Sequence, residues 1–332
     1  MNFIVNFHLS IVHSSFRLVL TIAVALLANV ALSQGYPVRP VRVIVNFPPG
    51  AGVDIATRIV TARLGETLGQ QFVIDNRAGA AGNIGVELAT HAAPDGYTLL
   101  SGTAAIAISQ TIFSKIGYDL NRDFAPVAMI ASAPFVLAVH PALPAKTLQE
   151  VIAQAKARPG QLTYATPGTG SSPHLAFELF KMQAGIDVLH VPYKGMVPAV
   201  TDVIGGSVSM TLGNTLTVMP NVKNGRLRGI AITTAKRSAI APELPTFSEA
   251  GLPGFQSGTW YAVLAPAKTP RDIVARLNGA VIKIVHEPDV SAKLLAQGAE
   301  PLDATPEQMR EFLSAEIAKW GKVAKASGAK FE

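Results

Sequence analysis

The chain contains no cysteine, which excludes disulfides, thiolate metal ligands and lipid attachment through a thiol, so the folded state must be held by its core. Charge is also scarce. Only 15% of the 332 residues are charged against 49% hydrophobic, a balance that excludes a disordered chain and predicts about two densely cored domains. The net charge of +6 is modest, and the lysines and arginines are dispersed without a basic-aromatic cluster, which argues against a nucleic-acid partner. The seven histidines show no close ligand spacing, so no metal site is expected, and no cofactor. Apart from residues 18–32, no apolar run could cross a bilayer.

That one run follows Arg17 and ends in Ala31-Leu32-Ser33, too short for a comfortable membrane span. Residues 1–35 therefore read as a signal peptide, which predicts a secreted mature protein. The alternative is a retained membrane anchor.

What the sequence does have is a pair of glycine-rich turns between strands and helices. In NFPPGAGVD, residues 46 to 54, an apolar strand carrying Val41, Val43, Ile44, Val45 and Phe47 leads into a helix from about Asp54 to Leu68. A turn this small leaves its amides accessible, and the helix dipole there favours negative charge. The pattern recurs in ATPGTGSSPH, residues 165 to 174, where a strand over 162–166 turns into a helix carrying Leu175, Phe177, Leu179 and Phe180. Glycine at such a turn can also serve tight packing alone; two facing turns make an anion cleft the stronger reading.

Strands and helices alternate along the rest, predicting an α/β fold with mostly parallel sheets. Further strands are expected over 72–75, 98–100, 135–139, 188–191, 208–212 and 227–233, and a helix over 81–92. Residues 135–152 and 260–277 both read as an apolar strand, a proline-broken turn and a capped helix starting near Thr147 or Thr269. Two crossings between lobes would divide the chain into lobe 1, residues 36–135 plus 262–332, and lobe 2, residues 136–261, joined by a two-strand hinge. Two ordinary strand-to-helix units of one sheet are the alternative. The C-terminal helix, with Phe312, Leu313, Ile317 and Trp320 on one face, is expected to pack on the core.

These segments resemble the substrate-binding proteins of tripartite tricarboxylate transporters, the Bug or TctC-like family, over Tyr36 to Glu332. The likeness rests on YPVRPVRVIVNFPPGAGVD, DNRAGAAGNIG, APDGYTLL, YATPGTGSSPHLAFELF, HVPYKG, ITTAKRSAIAPELPTFSEAGLPGF and LLAQGAEP, all in the family's order. It implies a two-lobe periplasmic binding protein fold of type II-like topology, no enzymatic activity, and capture of a small organic carboxylate for membrane permease subunits. A receptor of the same kind signalling to a membrane histidine kinase is the alternative. A protein that opens, closes and docks is expected to be a monomer.

The resemblance places the ligand at the two turns, in agreement with what a carboxylate needs: convergent N–H donors and no neighbouring acid. Phe47, Pro48, Pro49, Gly50, Ala51, Gly52 and Val53 would form the first cradle, with Asp54 either capping its helix or meeting the ligand. Thr169, Gly170, Ser171, Ser172 and His174 would form the second, the serines and His174 serving the helix start, the ligand or both. Thr103, Tyr193 and Asn214 complete the candidate set, while Lys194 reads equally as a solvated charge. The family commonly has a small hydroxyl residue at Val53, polar residues in the loop here reading Gly102 to Ala107, and an acid before Asn214, where this chain has Gly213. Without that acid a ligand ammonium loses its partner, so an organic acid with an apolar or aromatic remainder is expected.

Two enzyme readings fail. Gly168-Thr169-Gly170 lacks the third glycine of a dinucleotide fingerprint, having Pro173 there, and Asp187 falls at the start rather than the end of its strand. Ser171 lacks the closing glycine of a serine-hydrolase elbow.

Overall fold

The computed structural model describes residues 35–327. Residues 1–39 and 40–332 form separate units. Of the first, residues 35–39 are described and carry no helix or strand; the proposed signal peptide, apart from Gly35, lies outside the described residues.

The second unit is built on a sheet of ten strands. Strand β1 (Val41–Val45), with four of its five residues buried, runs parallel to β2 (Phe72–Asn76) and β3 (Thr98–Thr103). Between them lie α1 (Gly52–Leu68) and α2 (Asn83–Thr90). Helix α1 buries Val53, Ala56, Thr57, Val60 and Leu64, one face at helical spacing, and stops at the left-handed Gly69. Helix α3 (Ala104–Ile112) starts directly from β3, and the short α4 (Leu120–Asp123) precedes β4 (Phe124–Val139).

Beyond β4 come α5 (Leu148–Ala157), β5 (Thr163–Thr166), α6 (Ser172–Ala184), β6 (Leu189–Pro192), α7 (Met196–Ile204), β7 (Met210–Asn214), α8 (Thr215–Lys223) and β8 (Arg228–Ile232). Strand β9 (Gly258–Pro266) is followed by α9 (Arg271–Val285), α10 (Pro288–Ala296), β10 (Glu300–Pro301) and α11 (Pro306–Ser327). Parallel pairing holds in the flanks, β2-β1-β3 on one side and β7-β5-β6 on the other. The long strands β4 and β9 run antiparallel to their neighbours.

Strand β4 extends eleven residues further toward the N-terminus than its expected span of 135–139. Pro126 and Pro134 read as strand breakers, yet both sit within it, and the register shifts between Pro126 and Ala128 and between Met129 and Ala131. Pro134 ends the pairing with β9, opposite Gly258, and at Phe135 the strand begins to pair with β7, opposite Asn214. One strand thus serves two sets of neighbours. Thr233 ties the changeover: its hydroxyl accepts from the Phe135 amide at 2.9 Å, and its own amide donates to the Phe135 carbonyl at 3.0 Å.

Thr147 caps α5 in a reciprocal capping box with Glu150, as its sequence suggests. The matching expectation at Thr269 is corrected: α9 has Pro270 at its cap position with no side-chain cap bond. Helix α11 buries Met309, Leu313, Glu316, Trp320 and Val323 against the core, whereas Phe312 stays partly exposed at the edge of the Trp260 ring. Glu316 is buried because the indole N–H groups of Trp260 and Trp320 both donate to it at 3.0 Å, with Lys319 beside it.

Candidate ligand-binding site

Five helices, α1, α3, α6, α7 and α8, begin at the wall of one cavity of about 530 Å³. None of the side chains lining it is charged. Each helix start carries unpaired amides and a fraction of positive charge, so this space favours an anion without containing a cation.

The first turn supplies Phe47, Ala51, Gly52 and Val53 to the lining. Ala51 stands at the cap position of α1 and has no side-chain acceptor, which leaves the first amides of the helix uncapped among the described residues. Pro48, Pro49 and Gly50 fall on the exposed outside of the turn and do not line the cavity. Asp54 is also outside the lining. Its carboxylate accepts from the Gly50 amide at 2.9 Å, from Asn76 at 2.9 Å and from Arg58 at 3.0 Å, and so fixes the shape of the turn from behind. Burial pushes its carboxyl up, but the bonds from Arg58, Gly50 and Asn76 outweigh that and hold it below the ordinary carboxylate value.

The second turn contributes Pro167, Gly168, Thr169, Gly170, Ser171, Ser172 and Pro173. Ser171 is committed to the helix: its hydroxyl donates to the Gly168 carbonyl at 2.6 Å and accepts weakly from the His174 amide at 3.4 Å. Ser172 lines the cavity, and its hydroxyl has no hydrogen-bond partner among the described residues. His174 does not reach the cavity. It is 6% exposed, its Nδ1 accepts from the Gly170 amide at 3.1 Å, and its ring stacks on His190 with centroids 4.1 Å apart. Burial, with Lys181 adding to it, pushes this imidazole down to about 4, so it is neutral and acts as a strut for the turn.

Thr103 lines the cavity and caps α3 by accepting from the Ala105 amide at 3.1 Å. Asn214 lines it at the start of α8, where its side chain makes no cap bond. Tyr193 is absent from the lining, because its hydroxyl donates to Asp202 at 2.5 Å; burial and that carboxylate raise its pKa to about 12.

Several lining residues escape a sequence reading. The segment over 81–92 does not start as a helix: Gly79, Ala80, Ala81 and Gly82 all have positive φ, at 122°, 47°, 56° and 95°, and α2 begins only at Asn83. Two alanines held in the left-handed region are strained, and both line the cavity. The turn closes on Asn46, whose buried carboxamide lies 2.5 Å from where a Cβ on Gly82 would stand. The motif DNRAGAAGNIG carried this signal, but its glycines read as a helix entry. Ile112, Phe113, Phe135 and Met196 add an apolar wall from three elements: the end of α3, β4 and the start of α7. Met196 has room because the residue opposite is Gly213, on which a Cβ would collide with the Met196 methyl. Thr259 and Tyr261 come from β9. Nothing local in the sequence places that strand beside β3, where Tyr261 pairs with Thr103.

Comparison with known proteins gives one consistent result. The model of the family described as tripartite tricarboxylate transporter family receptor matches residues 55–329. Protein BugT of Bordetella pertussis is 39% identical over 313 residues, covering 94% of this chain and 96% of its own. A solved R. palustris structure, Rpa4515 with adipate, is 40% identical with a TM-score of 0.77, covering 89% of this chain and all of that one. MatC (Rpa3494) from Rhodopseudomonas palustris, solved with bound malate, is 33% identical with a TM-score of 0.72, covering 87% of this chain and 99% of its own. The fold is therefore the mixed α/β fold of periplasmic binding proteins.

Proposed function

The chain belongs to the tripartite tricarboxylate transporter receptor family, and from that membership we propose that it is a periplasmic solute-binding protein, not an enzyme, which captures a small organic carboxylate and delivers it to a membrane transporter. One observation carries the reading: five helix starts meet at a cavity whose lining has no charged side chain. Such a site neutralises an anion through main-chain N–H groups and oriented dipoles, as carboxylate capture requires. Relatives solved with adipate and malate support the ligand class.

The apolar wall narrows the class further. With Ile112, Phe113, Phe135 and Met196 around the amides, the part of the ligand beyond its carboxylate is apolar or aromatic. An ammonium group would find no carboxylate among the lining side chains and would lose its hydration without compensation. The proposal takes the lobes to be residues 36–135 plus 262–332 and residues 136–261, joined by two crossings; the change of partners along β4 between Pro134 and Phe135 supports the first of them. Closure about those two crossings is favoured by ligand contacts made only when the two turns approach. The proposal takes the working unit to be a monomer.

The test is thermal unfolding of the purified protein against mono-, di- and tricarboxylates, aromatic acids, amino acids and uncharged sugars. A ligand at 100 times its dissociation constant stabilises by about 2.7 kcal/mol, a shift of several degrees. A shift confined to carboxylates supports the proposal. A shift with amino acids or sugars and none with simple carboxylates overturns it.

A further inference from the structure

We infer that Tyr261 reads the ligand's anionic group: its hydroxyl donates a hydrogen bond to the same group that the first amides of α1 hold. The inference deepens the carboxylate reading and rests on it.

Strand alternation aims the ring. Trp260 turns toward α11, where its indole meets Glu316, and the next residue turns to the opposite face, into the cavity. Pairing with Thr103 sets Tyr261 beside the cap of α3. Its hydroxyl reaches the first residue of α1, since a Cβ on Gly52 would collide with it. The phenol therefore stands between two helix starts, both of which direct N–H groups at this space.

Two further facts make it a donor in waiting. Tyr261 is 7% exposed, yet its hydroxyl has no hydrogen-bond partner among the described residues. A hydroxyl at the cavity wall with no protein acceptor is free to donate to a ligand. Burial also pushes the phenol up to about 12, so it stays protonated and donates rather than repels an anion. With no charged side chain in the lining, the anionic acceptor must arrive with the ligand. A carboxylate, with two oxygens and room for several donors, satisfies the amides and the phenol together. A neutral amide of the same shape loses much of the attraction and presents its NH₂ to one of the donors.

The experiment is calorimetric titration of the wild-type protein and Tyr261→Phe with adipate, malate and benzoate, and with the amide of whichever acid binds. Tyr261→Phe keeps the ring and removes one oxygen, so the ligand-free unfolding temperature should change little. The bound acid should weaken by about 10- to 100-fold, with the acid-over-amide preference reduced. Ligand binding should also perturb tyrosine ultraviolet absorption in the wild type and lose that component in the variant, a readout that packing alone does not move. Equal acid affinity in the two proteins overturns the inference and leaves the carboxylate reading standing. A wild-type protein that binds no carboxylate overturns both.

Discussion

Gly52 and Tyr261 are in steric contact at the mouth of α1: the phenol oxygen occupies the space that any side chain on Gly52 would need. Gly52→Ala must displace a ring fixed by its strand. The variant should weaken carboxylate binding at least about tenfold and cost about 1–3 kcal/mol through overpacking, even though alanine is the better helix former. Combining it with Tyr261→Phe should recover part of the stability, because the shorter ring removes the colliding atom. Denaturant unfolding of both single variants and the double variant reads this as a coupling energy, and strictly additive effects would refute the contact.

Asp54 should matter for stability in a pH-dependent way. Its folded pKa lies below the ordinary value of 3.8, so its contribution is fully present above that value and is lost as pH falls through the lower folded value. Asp54→Asn should therefore cost about 1–3 kcal/mol at pH 7. Unfolding curves of the two proteins should converge as the solution is taken below pH 3.8. A gap that persists in acid would assign the effect to packing instead.

His174 has the opposite origin but the same sign. Burial depresses its folded pKa to about 4 from 6.5, so the unfolded chain takes up the proton first as pH falls. Stability contributed by the neutral ring is present above 6.5 and declines between there and 4, by at most about 1.4 kcal/mol per pH unit. His174→Gln should flatten that slope. The His174 imidazole resonances should show no titration between pH 7.5 and 5; a midpoint near the ordinary histidine value would contradict the buried strut.

Gly213 decides the width of the apolar wall. A Cβ at this position meets the flexible end of Met196 and, at 2.9 Å, a methyl of Val218, so Met196 must swing, and it lines the cavity. Gly213→Ala should shift preference toward shorter acids while leaving the anion cradle intact. Affinities for a homologous series of straight-chain diacids would show the optimum length falling; an unchanged optimum would mean that Met196 does not set it.

Thr147 provides a contrast outside the site. Its capping box with Glu150 stabilises α5 alone. Thr147→Ala should cost about 0.5–2 kcal/mol and leave ligand affinity unchanged, as measured by denaturation and calorimetry on one preparation.

The sequence by itself determined the α/β class, most strands and helices, and both glycine-rich turns, because each rests on local signals: β-branched runs, helical spacing, caps and breakers. It also carried the family likeness. Phe47, Ala51, Gly52, Val53, Thr103, Thr169, Gly170, Ser171, Ser172 and Asn214 were legible as candidates, and they line one cavity. Tertiary structure alone decided the rest. It turned His174 and Tyr193 away by giving them Gly170 and Asp202 as partners, and it drew Asp54 behind its turn onto Arg58 and Asn76. It carried β4 through two prolines and set β9 against β3, which brought Tyr261 to Gly52 across more than two hundred residues. The physical reason is that a side chain's periodicity tells which face it occupies, whereas the neighbour it meets there depends on long-range strand order.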